Sequence, residues 1–249
     1  MNKNKLKVPF YISTNNKHMR CLEVFVEIFN FFLPNQKLNI LGYDNPDFKL
    51  SDNCNFISMG KQGSVNEWST DLGKYFMDCK DKYFIYGTED TFFYKQPNIE
   101  FINYLIKLIK ENKDVGRINL VDGTESDNCT LENSPHYRVD LLSEFDSSSW
   151  GKWKLYQQNK YSDFAITTQF SIWDRNYFLK YMKPNRTPWE FEGKGSLEAM
   201  SDMDYRVLMV DENFPINKKE GYKRGTWENT TYWKHFLKNK TKQHLGSGL

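Results

Sequence analysis

The chain has 249 residues, of which 39% are hydrophobic and 16% aromatic, and its formal net charge is +2. This length and apolar content can bury one substantial core, and we expect one domain over 1–245 followed by a flexible tail over 246–249. The nearly balanced charge creates no overall field that would require nucleic acid or an anionic membrane as a partner. No apolar run approaches the ~20 residues that span a bilayer, and the first residues lack the apolar segment of a signal peptide. We therefore expect a soluble protein of the cytoplasm.

Strands and helices alternate along the first half of the chain. Apolar runs bounded by turn residues predict the strands, and apolar residues at helical spacing predict the helices. The predicted elements are a strand at 8–12, a helix at 19–32, a strand at 38–44, a helix at 66–79, a strand at 82–86, a helix at 98–112 and a strand at 116–122. This order predicts an α/β fold with a mostly parallel sheet covered by helices on both faces. In such sheets ligands sit beyond the carboxyl ends of the strands.

The second half of the chain has a different composition. Residues 123–153 are polar, rich in serine and acidic, and they precede a predicted strand at 165–173 and a predicted helix at 174–182. We interpret this half as an elaboration of the same domain. The four cysteines, Cys21, Cys54, Cys79 and Cys129, are widely separated and form no metal-binding spacing, so we expect free thiols.

Glu89 and Asp90 follow the predicted strand at 82–86, within the stretch 83-YFIYGTEDTFFYK-95. Two adjacent carboxylates at a strand exit suit Mg²⁺ or Mn²⁺, which prefer oxygen ligands and keep substrate phosphates in their shell. An isolated acidic pair is usually a solvated turn. Here aromatic residues bury the chain on both sides, and carboxylates between apolar runs need partners. We therefore predict a metal site that also contacts a diphosphate.

Five blocks of the chain, in their order, resemble the nucleotide-sugar-dependent glycosyltransferases of the GT-A fold, in particular small members from bacteria and their viruses. The blocks are 67-EWSTDLGKYF-76, the strand with Glu89 and Asp90, 169-QFSIWDRNYF-178, 188-PWEFE-192 and 221-GYKRGTW-227. In that family an Asp-any-Asp motif ends a central strand, and Thr88-Glu89-Asp90 stands here without the first Asp. The resemblance implies that Asp90 ligates the metal and that Glu89 contacts the donor sugar, the ribose or a metal-bound water.

A second acidic segment, 184-PNRTPWEFEGKGS-196, is predicted to be a loop that opens a helix ending near 199–200. In inverting GT-A enzymes an acid at this place takes the proton of the acceptor hydroxyl, so the resemblance implies Glu192 as the general base and Glu190 as the reserve. In an extended loop these two side chains point to opposite sides. The alternative is that both acids cap a helix that starts between 193 and 196.

The resemblance also implies a set of donor-binding residues after the first strands and near the C-terminus. They are Ser13, Thr14 and Arg20 for base or phosphate, Tyr43, Asp44, Trp68 and Asp71 for the nucleoside, and Arg224 for the diphosphate. Ordinary turn chemistry is an equal alternative for Asp44, and core packing is the commoner role of a residue such as Trp68. The planar guanidinium group of Arg224 matches the geometry of phosphate oxygens. The nearby Lys218, Lys219 and Lys223 are more typical of a solvated face.

Gln169, Trp173 and Trp189 are the predicted acceptor-binding residues, because a tryptophan face commonly packs against the C–H groups of a sugar. Alternation along a strand would place Gln169 and Trp173 on the same face. Core packing is an equal alternative for Trp173. His235 could complete a metal site, although a helical surface histidine is the commoner reading of that position.

Together these features predict a glycosyltransferase that uses Mn²⁺ or Mg²⁺ and a nucleoside diphosphate sugar, expected to be UDP-linked, and that inverts the anomeric centre. Residues 1–122 would bind the donor, and residues 123–245 would bind the acceptor and carry the catalytic base. The acceptor would be a surface glycan or hydroxymethylated cytosine in phage DNA. A nucleotidyltransferase is an alternative, but 13–17 matches its glycine-rich phosphate loop poorly. A carbohydrate-binding or nucleic-acid-binding module without catalysis is the other alternative.

Overall fold

The computed structural model describes residues 5–93, 95–121, 138–147, 151–211, 218–220, 222–223 and 226–227. Its strands are β1 (Phe10–Ser13), β2 (Leu38–Gly42), β3 (Cys54–Ser58), β4 (Tyr83–Thr88), β5 (Thr91–Phe93), β6 (Val115–Asn119), β7 (Val139–Ser147), β8 (Gly151–Gln158), β9 (Ser171–Asp174), β10 (Arg206–Asp211), β11 (Lys218–Glu220), β12 (Tyr222–Lys223) and β13 (Thr226–Trp227). Its α-helices are α1 (Met19–Phe32), α2 (Trp68–Asp78), α3 (Ile99–Glu111), α4 (Arg175–Tyr181) and α5 (Pro188–Ala199).

A nine-stranded sheet in the order β3-β2-β1-β4-β9-β6-β10-β8-β7 forms the centre of the fold. Within this sheet β8 and β9 run against the other strands. The predicted α/β class with a mostly parallel sheet flanked by helices is therefore confirmed. Two short antiparallel pairs, β5 with β11 and β12 with β13, lie outside the large sheet.

Helices cover both faces of the sheet, and the alternation along β1 shows how. Phe10 and Ile12 belong to the core that includes α1 and α3, whereas Tyr11 belongs to the core that includes α2, α4 and α5. Neighbouring strand residues point to opposite faces, so a strand with helices on both sides must be apolar throughout. All four residues of β1 are buried accordingly. Among the described residues, no helix combines the length and apolarity needed to cross a bilayer.

The helices of the first half begin and end close to their predicted bounds. α1 occupies the predicted 19–32, and α3 begins after Asn98, whose side chain accepts a hydrogen bond from the backbone N–H of Phe101. Such a cap satisfies one of the unpaired N–H groups at a helix start. Cys21, Cys54 and Cys79 are free thiols, and Cys129 lies outside the described residues.

Four strands of the large sheet were not predicted, namely β3, β7, β8 and β10. β3 and β7 are the two edge strands, and their side chains are mostly half-buried or exposed, so their sequences lack the apolar run that marks a central strand. The predicted strand at 165–173 is shorter than expected. Its first residues contact helix α5 through side-chain hydrogen bonds instead of pairing in the sheet, and β9 begins only at Ser171.

Gly87 in β4 provides a test of this packing. A Cβ built on Gly87 would lie 2.2 Å from the ring of Phe170, which packs against that strand. We expect Gly87→Ala to lower the free energy of unfolding by about 1–3 kcal/mol, because the ring must shift within a close-packed core. Urea denaturation measures this change.

Gly193 is the matched control, because a Cβ there would meet nothing within 4 Å. It lies inside helix α5, so Gly193→Ala should stabilise the protein by about 0.5–1 kcal/mol. Equal unfolding midpoints for Gly87→Ala and the wild type would contradict the close approach of Phe170.

Candidate active site

The candidate site lies at the edge of the sheet where β1, β2 and β4 end, which we call the carboxyl edge. Ser13 of β1 pairs with Leu41 of β2 on one side and with Thr88 of β4 on the other. The loops that follow these three strands therefore emerge side by side. Glu89 and Asp90 form the turn between β4 and β5, as expected for a site beyond the strand ends.

Glu89 is buried at this edge, with 3% of its surface exposed. Its Oε1 lies 2.8 Å from Nδ1 of His18 and accepts a hydrogen bond of 3.2 Å from Oγ1 of Thr14. The thiol of Cys21 donates to the backbone carbonyl of Glu89. Burial raises the pKa of the Glu89 carboxyl, and the hydrogen bond to that carboxyl raises the pKa of His18. The pair therefore ties the loop after β1 to the turn after β4.

Glu89, which is predicted to contact the donor, makes internal contacts in this structure. The side chain faces the protein interior and is engaged by two neighbours, so it leaves almost no surface for a sugar, a ribose or a metal-bound water. His18 was not predicted as a partner. It lies in the short 3₁₀ turn Asn16–His18, and no pattern along the sequence relates it to a residue in the turn after β4.

Asp90, in contrast, is only half-buried. Its Oδ1 accepts a 2.6 Å hydrogen bond from Oγ1 of Thr88, and no described lysine or arginine forms an ion pair with it. The backbone of β11 returns to this turn and pairs Glu220 with Thr91. Asp90 thus presents a carboxylate next to an open strand exit.

A divalent cation fits Asp90 as one protein carboxylate. The described residues contain no cluster of three His, Cys, Asp or Glu side chains that could hold an ion by themselves. Mg²⁺ and Mn²⁺ sites that carry a nucleotide commonly use one or two carboxylates, and substrate phosphates and waters complete the shell. The Asp90 carboxylate is therefore suited to an ion that arrives with a diphosphate.

The loop after β1 buries the two residues that were predicted to meet the donor. Ser13 lies 2.6 Å from the Tyr86 hydroxyl through its Oγ, and Thr14 donates to Glu89. Both are buried. The hydroxyl groups that are predicted to meet base or phosphate therefore make internal hydrogen bonds here.

Polar groups that are half-buried or exposed lie one step further along this edge. Asn16 exchanges two hydrogen bonds with Asp44, at 2.6 and 3.1 Å, and its backbone N–H donates to Oε1 of Gln62. Gln62, from the loop after β3, was not predicted, because that strand itself was missed. Arg20 is exposed at the start of α1.

The predicted nucleoside residues come from two places, because Tyr43 and Asp44 follow β2 whereas Trp68 and Asp71 lie in the first turn of α2. The Tyr43 hydroxyl donates to Oδ2 of Asp71 at 3.1 Å, and burial together with the Asp71 charge raises the pKa of Tyr43. Trp68 is 9% exposed and packs edge-on against Phe191 at 5.6 Å, so core packing, the alternative weighed above, describes it. Asp71 alone of these four also lines a cavity of about 530 Å³ beside α2.

Helix α5 begins earlier than predicted, and this changes the surroundings of Glu190. The segment 188–192 is helical, with Pro188 in its first turn and Thr187 as the N-cap. Glu190 completes a capping box with Thr187, and its Oε1 accepts a 2.7 Å hydrogen bond from Lys194. These contacts, above all the one with Lys194, lower the pKa of Glu190 to about 2. Glu190 therefore acts as a cap with little basicity, and the expected extended loop is corrected to a helix.

Glu192 lies in the same helix, and its side chain reaches the segment before β9. Its Oε1 accepts hydrogen bonds from Oγ1 of Thr167 at 2.9 Å, the backbone N–H of Thr168 at 2.7 Å and Oγ1 of Thr168 at 2.9 Å. No hydrogen bond from another described residue reaches Oε2. One carboxylate oxygen is thus held firmly, and the other remains available.

Sheet topology brings Glu192 to the carboxyl edge with Asp90. β9 runs antiparallel to β4 and pairs Ser171 with Tyr86, so the segment before β9 emerges where β4 ends. Burial raises the pKa of Tyr86, and the charges of Glu89, Glu192 and Asp90 raise it further. All three carboxylates therefore lie within electrostatic range of one buried tyrosine.

The predicted acceptor residues separate into two groups. Trp189 is 72% exposed in the first turn of α5, and Gln169 is half-buried in the segment that holds Glu192. Trp173 is fully buried, and its ring packs edge-on against Phe178 at 5.1 Å. Trp173 thus packs in the core, which is the alternative to its predicted place in a sugar cleft, because β9 is a central strand covered by helices on both faces. Arg224 and His235 lie outside the described residues, as do the side chains of Lys218, Lys219 and Lys223.

No protein-family model matches the sequence, and no curated protein matches it. Similar solved structures include a mannosyltransferase from Pyrobaculum calidifontis in complex with GDP-Man and Mn²⁺, with a TM-score of 0.48 and 9% identity over 98% of this chain and 64% of that one. A UDP-glucose pyrophosphorylase complexed with UDP-glucose has a TM-score of 0.48 and 8% identity over 95% of this chain and 99% of that one.

S. aureus TarS 1–349 has a TM-score of 0.47 and 11% identity over 85% of this chain and 60% of that one. This chain therefore spans less than two thirds of the mannosyltransferase and of TarS 1–349. At these identities no residue of those proteins assigns a role to a residue of this chain.

Proposed function

We propose that this chain is a metal-dependent glycosyltransferase that moves a sugar from a nucleoside diphosphate to a hydroxyl acceptor with inversion. The observation that carries the proposal is the pairing of two accessible carboxylates at one edge of the sheet. Asp90 has no described cationic partner, and Glu192 has one oxygen held and one available. One acid suits a cation and the other suits a proton, which is the division of roles that metal-dependent, inverting glycosyl transfer uses.

Asp90 serves the donor side in this proposal. A bound Mg²⁺ or Mn²⁺ would offset the negative charge on the departing diphosphate. Glu89 helps to position Asp90, because its contacts with His18 and Thr14 fix the turn that carries both acids. The exposed Asp44 and the half-buried Asn16 and Gln62 are the polar groups at this edge for the nucleoside.

Glu192 serves the acceptor side. A general base must lie within hydrogen-bond reach of the hydroxyl whose proton it accepts, and Oε2 is the oxygen that Thr167 and Thr168 leave open. Trp189, three residues earlier in the same helix, lies on a neighbouring face of α5 and offers an exposed ring.

A carbohydrate hydroxyl is the acceptor class that we favour. Nucleic acid binding depends on lysine and arginine side chains that neutralise backbone phosphates. The lysine of α5, Lys194, is already paired with Glu190, and nearby Lys183 is paired with Glu198. An exposed indole beside a carboxylate suits the C–H face and the hydroxyl groups of a sugar.

Release of nucleoside diphosphate from nucleotide sugars tests the proposed function. The protein is incubated with UDP-glucose, GDP-mannose and related donors, with and without Mn²⁺, and the free nucleotide is quantified. We expect slow, metal-dependent release of diphosphate as water replaces the acceptor, and a higher melting temperature with the preferred donor. Absence of both effects with every donor would contradict the proposal. Release of pyrophosphate from a nucleoside triphosphate and a sugar phosphate would instead indicate nucleotidyl transfer.

Trp189 is expected to contribute to acceptor binding alone. Trp189→Ala should raise the KM for the acceptor on the order of tenfold, equivalent to ~1.4 kcal/mol, and leave donor affinity unchanged. Steady-state kinetics with an acceptor found by screening glycans measures this. Leu197→Ala is the control, because Leu197 is 64% exposed on the same helix. Equal effects of the two substitutions would contradict an acceptor contact at Trp189.

A further inference from the structure

Two successive threonines hold the carboxylate of Glu192. Thr167 and Thr168 both direct their hydroxyl groups to Oε1 of Glu192, and the backbone N–H of Thr168 adds the shortest of the three contacts, at 2.7 Å. The Thr167 hydroxyl in turn accepts a hydrogen bond from the backbone N–H of Gln169 at 3.2 Å. The donors converge on one oxygen, so they fix both the position and the rotation of the carboxylate.

A second set of contacts holds the helix and the threonine segment together one turn further along. The backbone N–H of Ile166 donates to Oγ of Ser196 at 3.1 Å, and that hydroxyl donates back to the carbonyl of Ile166 at 3.2 Å. A Cβ on Gly195 would lie 3.1 Å from Ile166, so the helix backbone approaches this segment closely. Glu192 therefore sits between two rigidly joined pieces of the chain.

We propose that Thr167 and Thr168 are positioning residues, which hold Oε1 of Glu192 so that Oε2 alone receives the proton of the acceptor. This inference rests on the proposed function and assigns a role to two residues that carry no charge and bear no motif. If the Glu192 carboxylate could rotate, either oxygen could face the acceptor hydroxyl. The oxygen that accepts the proton would then not be held at a fixed distance and angle, and proton transfer would be less efficient.

Thr167 and Thr168 act in the displacement at the anomeric carbon. The acceptor oxygen bonds to that carbon while its proton passes to Oε2 of Glu192. The bond between the carbon and the phosphate oxygen breaks, and its electron pair leaves with the diphosphate. Thr168 takes part only by keeping Oε2 directed at the acceptor, so its loss should reduce turnover and leave donor binding intact.

The test compares Thr168→Val, Thr168→Ser and Glu192→Gln in metal-dependent release of diphosphate from the nucleotide sugar that the wild type hydrolyses fastest. We expect Thr168→Val to lower kcat about tenfold to a hundredfold with an unchanged donor Kd. The acid limb of its pH–rate profile should move to higher pH, because a carboxylate that loses a donor holds its proton more tightly. Thr168→Ser retains the hydroxyl and should restore most of the rate.

Thr70→Val is the matched control for removing a threonine hydroxyl, because the Thr70 hydroxyl accepts a hydrogen bond from the backbone N–H of Asn185, outside the site. Melting temperatures of all variants report folding separately from turnover. A Thr168→Val protein that melts normally and keeps the wild-type rate and pH profile would overturn the inference. If wild type hydrolyses no nucleotide sugar, the proposed function fails first, and the two failures are therefore distinguishable.

Discussion

Replacing Asp90 with asparagine is expected to abolish metal-dependent binding of the nucleotide sugar. Asp90 is the carboxylate of the β4–β5 turn that remains accessible, whereas Glu89 is committed to His18 and Thr14. The protein then has no acid at the strand exit for the cation. Since loss of an outer-shell partner alone commonly costs 10–100-fold in metal affinity, we expect at least a ~100-fold loss here. Calorimetric titration of the donor in the presence of Mn²⁺ measures it.

Asp52→Asn is the control for this experiment, because Asp52 is exposed in the loop before β3 and carries the same charge. In the wild type, Mn²⁺ and a nucleoside diphosphate should each increase the affinity for the other. Mn²⁺ alone should bind weakly, because one carboxylate supplies few ligands, and the affinity should rise when a nucleoside diphosphate is present. Retention of Mn²⁺-dependent donor binding by Asp90→Asn would remove Asp90 from the proposed metal site.

The second large effect is expected at Glu192. Glu192→Gln keeps the size of the side chain and an oxygen that can accept from Thr168, so the fold and the donor affinity should remain. The amide cannot take up the acceptor proton, and general-base catalysis commonly contributes 10²–10⁴ to a rate. We therefore expect kcat to fall by about that factor, measured as release of diphosphate under saturating donor.

Glu190→Gln separates the two acids of α5. Glu190 caps the helix and pairs with Lys194, and the resulting low pKa of about 2 makes it a poor proton acceptor. We expect its replacement to lower the melting temperature slightly and to leave kcat close to that of the wild type. A large loss of kcat in Glu190→Gln with normal turnover in Glu192→Gln would reverse the assignment.

Local patterns in the sequence were sufficient for β1, β2, β4 and β6 and for the helices α1, α2 and α3. α1 and α3 follow from apolar spacing, and the position of Glu89 and Asp90 beyond β4 follows from the end of an apolar run. The start of α5 was also within reach. Thr187 followed three residues later by Glu190, with Pro188 between them, is a capping box with proline at the first helical position.

Contacts between distant parts of the chain could not be predicted in the same way. The burial of Glu89 depends on His18 and Thr14, which lie on another loop. The position of the Glu192 carboxylate depends on hydrogen bonds from Thr167 and Thr168. Trp173 was placed at the site because alternation indicates that two residues share a face, yet it does not indicate that helices cover that face. Each of these features results from tertiary packing.

The insertion of β9 between β4 and β6 makes the two halves of the chain inseparable. β6 lies within residues 1–122, but both of its neighbours in the sheet, β9 and β10, lie within residues 123–245. Cutting the chain between the halves would leave β6 without a strand partner and would leave β4 with unpaired backbone groups along one side, a surface that invites aggregation. We therefore expect neither half to fold alone, and a second half taken from another protein would have to supply strands that fit between β4 and β6 and beside β6.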